Sequence, residues 1–126
     1  MSKKVKFTIE FPVRCSPAIL FDFLSTANGL GEWFADHVDQ IDKTFIFNWS
    51  GTKESADMIE KIENKLVKFR WENMAPSEYF EFKIERNDVI NDTELIITDF
   101  ADKNDVDSQR QLWETQVHEL KHRIGS

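Results

Sequence analysis

DVDSQRQLWETQVHELKHRI, residues 105–124, is where the pattern of this sequence changes. The stretch holds no Gly or Pro, and its apolar residues Val106, Trp113, Val117, Leu120 and Ile124 recur at helical spacing. At about 100° per residue these five cluster within roughly 60° of one another. The spacing predicts a long C-terminal helix whose apolar stripe grips a core. Asn104 or Asp105 is placed to cap its start, and Asp105 and Asp107 suit the positive end of the helix dipole.

The same stretch contains HELKH, His118 to His122, a letter-for-letter match to the zinc-protease pattern His-Glu-x-x-His. On a helix that spacing sets two imidazoles one turn apart to share Zn²⁺, with Glu119 as general base. Orientation argues against it. His118 lies about 125° and His122 about 165° from the centre of the apolar stripe, so both face water. A catalytic zinc also needs a third ligand and an oriented surround. The residues after His122 include no carboxylate, His or Cys, and His37 is the sole other histidine. Neither a metal site nor a catalytic role is expected from the motif.

Upstream of residue 101 the period is two rather than helical, except over residues 16–36. Val5, Phe7, Ile9 and Phe11 alternate with Lys4, Lys6, Thr8 and Glu10 in a half-buried strand that Pro12 is expected to end. In CSPAILFDFLST, Ser16 is a good N-cap and Pro17 suits the first helical position. Leu20, Phe23 and Leu24 give that helix its apolar stripe. Gly29 and Gly31 then break it before a second short helix carrying Leu30, Trp33 and Phe34. Strands follow over 36–42, Thr44–Trp49, Lys53–Ile62, Leu66–Glu72, Glu78–Arg86 and Glu94–Phe100. Ser50-Gly51, Asn64, the 74–77 loop and the pairs Asn87-Asp88 and Asn91-Asp92 supply the reversals. Consecutive strands joined by short polar turns imply an antiparallel meander. The whole chain, 1–126, reads as one domain.

Composition narrows the function. Eleven Phe, four Trp and one Tyr mean either a very aromatic core or rings lining a pocket. The net charge of −7, from 16 Lys plus Arg against 23 Asp plus Glu, argues against a nucleic-acid partner. The one basic cluster, Lys3, Lys4 and Lys6, belongs to a strand's solvent face. Cys15 alone excludes an intramolecular disulfide and fits a reducing compartment. No apolar run is long enough for membrane insertion, and the N-terminus lacks a signal peptide's apolar region. A cytoplasmic domain is the expectation.

Other catalytic constellations are absent or weak. There is no phosphate loop, Gly-x-Gly-x-x-Gly or Gly-x-Ser-x-Gly. Cys15 stands at a strand-to-helix junction without a nearby histidine, which reads as a structural thiol rather than a nucleophile. Glu54 and Glu60 share strand parity with Ala56 and Met58. Either they enter an apolar interior, where the carboxyl pKa would rise, or a bulge turns them to solvent.

The order of one strand, two short helices, a six-strand meander and a long final helix resembles the START-like superfamily. This is the helix-grip fold shared with the birch-pollen allergen and bacterial polyketide cyclases. SPAILFDFLSTANGLGEWFAD (16–36), with its Gly-x-x-x-Trp junction at Gly29 and Trp33, carries the likeness with FNWSG (47–51) and LWETQVHEL (112–120). Within the superfamily the chain looks most like bacterial proteins similar to the activator of the ninety-kilodalton heat-shock chaperone's ATPase. The resemblance implies an α+β fold: a bent seven-stranded antiparallel sheet wrapped around the C-terminal helix, with a cavity between them. Members hold lipids, sterols, polyketides or other apolar molecules there, a minority act on them, and no catalytic residue is common to all.

On that fold Trp33, Trp49, Met58, Trp71, Phe82 and Trp113 are candidates for the cavity wall, with Gln109 and Gln116 as polar contacts. The same rings could instead fill the space, since interiors pack densely. Three functions follow. The favoured one is binding or carriage of a small hydrophobic ligand, without cofactor or catalysis. The second is a cyclase-, aromatase- or hydrolase-like enzyme, for which Glu54 and Glu60 are the available ionisable groups. The third is a protein-interaction module with a filled core. Ile46, Ile59 and Ile96 could also cover a homodimer contact or stand as isolated exposed apolar residues.

Overall fold

The computed structural model describes residues 4–87, 89 and 92–125. Lys3 of the basic cluster, and Asp88 and Asn91 of the last expected turn, lie outside them. Strand β1 (Lys4–Val13) leads into helices α1 (Pro17–Ser25) and α2 (Ala27–Trp33). Six strands follow: β2 (His37–Ile41), β3 (Thr44–Trp49), β4 (Thr52–Ile62), β5 (Leu66–Trp71), β6 (Phe80–Asn87) and β7 (Asp92–Asp102). A single 3₁₀ turn, Lys103–Asp105, then opens helix α3 (Val106–Ile124).

The seven strands form one open antiparallel sheet in the order β1-β7-β6-β5-β4-β3-β2. β2 to β7 pair as consecutive neighbours, and β1 closes onto the far side of β7. The fold is the α+β arrangement expected, with α3 packed on β1, β7 and α2. Trp113, Val117 and Leu120 are its buried residues, as the helical stripe requires. His118 and His122 are exposed on the other side of the helix. Among the described residues, no helix is long and apolar enough to cross a membrane.

Local chemistry explains the two short helices. The Ser16 hydroxyl accepts from the Ile19 amide at 3.2 Å and Pro17 takes the first turn of α1. Thr26 ends α1 and caps α2, donating to the Asp22 carbonyl (2.7 Å) while accepting from the Gly29 amide (2.9 Å). Gly29 is required by contact rather than by torsion. A Cβ there would run into the Asp22 carbonyl and come within 2.7 Å of Phe23 Cα. One helical turn later, Trp33 Nε1 donates to the Phe23 carbonyl at 2.8 Å. The Gly-x-x-x-Trp spacing is therefore a clamp on the end of α1.

Four expectations need correction. Gly29 and Gly31 do not break α1, which ends at Ser25; both lie inside α2. Pro12 does not end β1, which runs to Val13 with Pro12 opposite Glu94. β1 is an edge strand, where one side of the backbone has no ladder partner to lose. No side chain caps α3: the Asp105 carboxylate makes no capping bond, and the 3₁₀ turn leads in directly. Finally, β7 exceeds the predicted 94–100 at both ends, because β1 and β6 flank it and supply pairing along its length.

Candidate functional site

Aromatic rings fill most of the space between sheet and helices. Phe45, Phe47, Phe69, Phe80 and Phe82 are fully buried, each on the inner face of its strand. Phe34, the residue that ends α2, sits at the middle of this cluster. Its ring stacks on Trp113 (5.7 Å between centroids, 14° between planes) and meets Phe47 and Trp49 edge-on at 5.1 and 5.4 Å. It also approaches Trp71 and Phe80 at 6.3 and 5.9 Å. Offset and edge contacts of this kind add favourable quadrupole interactions to the area buried.

The filling is incomplete at one end. There, a cleft of about 390 Å³ is lined by Phe34, Trp49, Glu54, Trp71, Asp99, Gln109, Leu112, Trp113 and Gln116. Trp49 closes β3, Glu54 lies near the start of β4 and Trp71 closes β5, so the sheet presents one corner to the cleft. The opposite wall is a single face of α3, since Gln109, Leu112, Trp113 and Gln116 are spaced i, i+3, i+4, i+7. Leu112 stays half exposed at the rim (51 %).

Most polar groups around the cleft already have protein partners. The Phe34 carbonyl accepts from Trp49 Nε1 (2.7 Å) and Gln116 Nε2 (3.3 Å), which pins helix α3 and β3 to the end of α2. Asp99 Oδ2 accepts from Trp113 Nε1 at 2.9 Å, and Asp99 Oδ1 from the Phe100 amide at 2.8 Å. Burial pushes the Asp99 carboxyl above its ordinary value, while these two donors, Gln109 and, through its charge, Lys4 pull it back. Trp33 spends its indole N–H on α1. Among the described residues, Trp71 is left as the tryptophan whose N–H has no protein acceptor.

Five of the eight expected wall residues, Trp49, Trp71, Trp113, Gln109 and Gln116, meet at this cleft. Trp33 instead packs on Phe34 and Phe82 and borders a second, more polar groove with Thr115, Glu119 and Arg123. Phe82 is fully buried among the rings, away from both spaces. Met58 lies half buried by the β2–β3 turn, beside Ile41, Lys43 and Asp57. Phe34, Leu112 and Asp99 were not among the expected wall residues. Asp99 has a sequence signal: Leu95, Ile97, Asp99 and Ala101 share parity on β7, and all four are buried.

The two glutamates part company. Glu54 pairs with Phe47 on the inner face and stands exposed at the cleft mouth. The register shift between Met58 and Glu60 turns Glu60 to the outer face, where it pairs with Lys68 at 3.3 Å. Cys15 is half buried, and burial raises its thiol, which disfavours the nucleophilic thiolate. His37 is engaged with Asp39 at 3.1 Å. No group of three or more His, Cys, Asp or Glu side chains that could hold a metal occurs among the described residues.

The model of the START-like superfamily domain matches residues 1–126. The chain belongs to the START-like superfamily. None of the curated proteins matches this START-like domain. Among solved structures it is similar to BfR322 of Bacteroides fragilis, at 32% identity and a TM-score of 0.69, over 98% of this chain and 93% of that one. It is also similar in fold to a protein titled the Aha1 dimer from Colwellia psychrerythraea, at 21% identity and a TM-score of 0.77, over 93% of each chain. A Staphylococcus saprophyticus protein shares the fold at 15% identity and a TM-score of 0.78, over 96% and 92% of the two chains. Members of the superfamily often bind hydrophobic ligands.

Proposed function

We propose that this START-like domain binds a small, largely aromatic or apolar molecule in the cleft between Trp49, Trp71 and helix α3. The observation that carries the reading is the convergence of four rings, one unpartnered indole N–H and a buried carboxylate on one concave space. A mostly apolar cleft with a few placed polar groups is what recognition of such a ligand requires. The volume sits near the lower end of ligand sites, roughly 300–1,000 Å³. Since Phe34 and its neighbours occupy the deeper interior, the ligand is a compact molecule rather than a whole lipid. Neither Asp99 nor Glu54 stands beside a nucleophile in the cleft, which favours binding over catalysis.

Native mass spectrometry and tryptophan fluorescence against a panel of small aromatic and apolar compounds test the reading. Binding should shift the emission of the cleft tryptophans and be weakened by Trp71→Ala. A panel with no binder by either method would sink it. A second reading, a protein-contact module, draws on the tight interior and on Ile41 and Ile59, exposed and lining one shallow groove at the β2 edge. Of the other outer-face residues raised for a dimer contact, Ile96 lies between Glu10 and Lys83 and Ile46 between Asp39 and Ser55, so apolar area is scattered there. Sedimentation that finds only monomer would remove the self-association form of this reading.

A further inference from the structure

The charge lining the cleft is all of one sign. Its wall contains two carboxylates, two glutamine amides and four aromatic rings, and no Lys, Arg or His. Aromatic faces carry the negative end of the ring quadrupole and attract cations, most strongly where water is excluded. Trp49 and Trp71 meet at 5.9 Å with 55° between their planes, so the two indoles form tilted walls rather than a closed stack. Asp99 is 5 % exposed and accepts hydrogen bonds from the neutral N–H groups of Trp113 and Phe100, with the Gln109 amide also favouring its charged form. Neither Asp99 nor Glu54 is in any ion pair among the described residues; Lys4, the cation that acts on Asp99 through charge, pairs with Glu78 instead. A buried carboxylate with no cation in contact is costly, and a carboxylate oxygen can accept more than one hydrogen bond.

We propose that the cleft selects a small organic cation, an amine or quaternary ammonium on an aromatic or apolar body, with Trp49 and Trp71 as walls and Asp99 and Glu54 as counter-charges. The proposal rests on the cleft being a binding site at all, and it adds the ligand's charge class. The apolar body lies against Phe34 and Leu112, where the wall is uncharged. The cationic head faces Asp99 on β7, to which its N–H groups, where it has them, donate, while Glu54 on β4 acts from the cleft mouth at longer range. A carboxylate- or phosphate-bearing ligand meets the same two acidic groups with no cation in the wall, so fatty acids and nucleotides are disfavoured.

Isothermal titration calorimetry with three probes of similar size tests this: benzyltrimethylammonium, neutral benzyl alcohol and anionic phenylacetate. The cation should bind about tenfold more tightly than the neutral probe, a preference of the size that cation–π contact plus a nearby carboxylate supplies. Glu54→Gln, at the exposed mouth, should weaken the cation measurably, by removing a long-range attraction, and weaken benzyl alcohol less. Asp99→Asn should do so more strongly, and Glu54→Gln keeps the test intact if the buried variant fails to fold. Equal or tighter binding of benzyl alcohol or phenylacetate overturns the charge assignment while leaving the binding reading standing. Cation affinity unchanged in Glu54→Gln also overturns it. Binding of none of the three overturns both.

Discussion

Truncating Phe34 to alanine tests whether the interior is built around that ring. Phe34 is 4 % exposed and touches rings from α2, β3, β5, β6 and α3, so its removal uncouples five elements at once. Burial losses for Phe→Ala run to about 3–5 kcal/mol, set by how far the site collapses. Here two clefts already flank the ring, so water can enter the vacated space and the cost falls near the lower figure, about 3 kcal/mol. The main-chain carbonyl that receives Trp49 and Gln116 is untouched, which isolates the contribution of the side chain. A chain of 126 residues has total stability on the order of 6–19 kcal/mol, so the variant should still fold. Urea unfolding followed by tryptophan fluorescence should show a midpoint lowered by about 1.5–2 M with little change in slope. Benzene or indole should restore part of the loss by filling the new space. A loss below about 1 kcal/mol would refute the packing argument, because a ring that central cannot be removed so cheaply.

Gly29→Ala should destabilise by about 1–3 kcal/mol or more, since the added methyl collides with the α1 backbone and not with a movable side chain. Thermal unfolding reads it, and an unchanged Tm would mean that the α1–α2 junction is loose. Asp99 gives a pH signature. Its folded pKa is raised above the ordinary 3.8, so between the two values the native state holds more proton than the unfolded chain. Its contribution is therefore greatest below the unfolded value and is lost as pH rises through the folded one; Asp99→Asn should remove that slope from a series of unfolding midpoints, with Lys4 and Glu54 left in place. The double variant His118→Gln, His122→Gln should match the parent in stability and in ligand binding, because both rings are exposed. Loss of either property would show that the polar side of α3 has a role that its orientation does not explain.

Periodicity carried the fold because burial acts on it directly. Trp113, Val117 and Leu120 had to share a helix face, and the alternating phenylalanines of β3, β5 and β6 had to share a sheet face, for either set to leave water. Periodicity is silent where the backbone breaks its own rule. At Ile59 one extra residue shifts the register, so Met58 stays inward while Glu60 turns to Lys68. Nothing in the run of letters from Ala56 to Ile62 marks that bulge. Strand ends were similarly hidden, since β7 is long because of its two neighbours and not because of its own composition.

The site was half legible for a related reason. Tryptophans at the ends of β3 and β5, and two glutamines one turn either side of Trp113, are conspicuous as large or polar groups beside a core stripe, and they do meet. What decides whether they bound a cavity or a filled interior is Phe34, which follows a helix end where neither period applies. Its backbone leaves α2 with φ −89° and ψ −37°, still helical in torsion, and this sends Trp33 toward α1 and Phe34 into the rings. The consequence is functional. A ring at that point divides the space under the sheet into a packed interior and a cleft at one end, whose lining includes both Phe34 and Asp99. Asp99 is the buried one of the cleft's two carboxylates, which is why charge, more than shape, should govern what the cleft accepts.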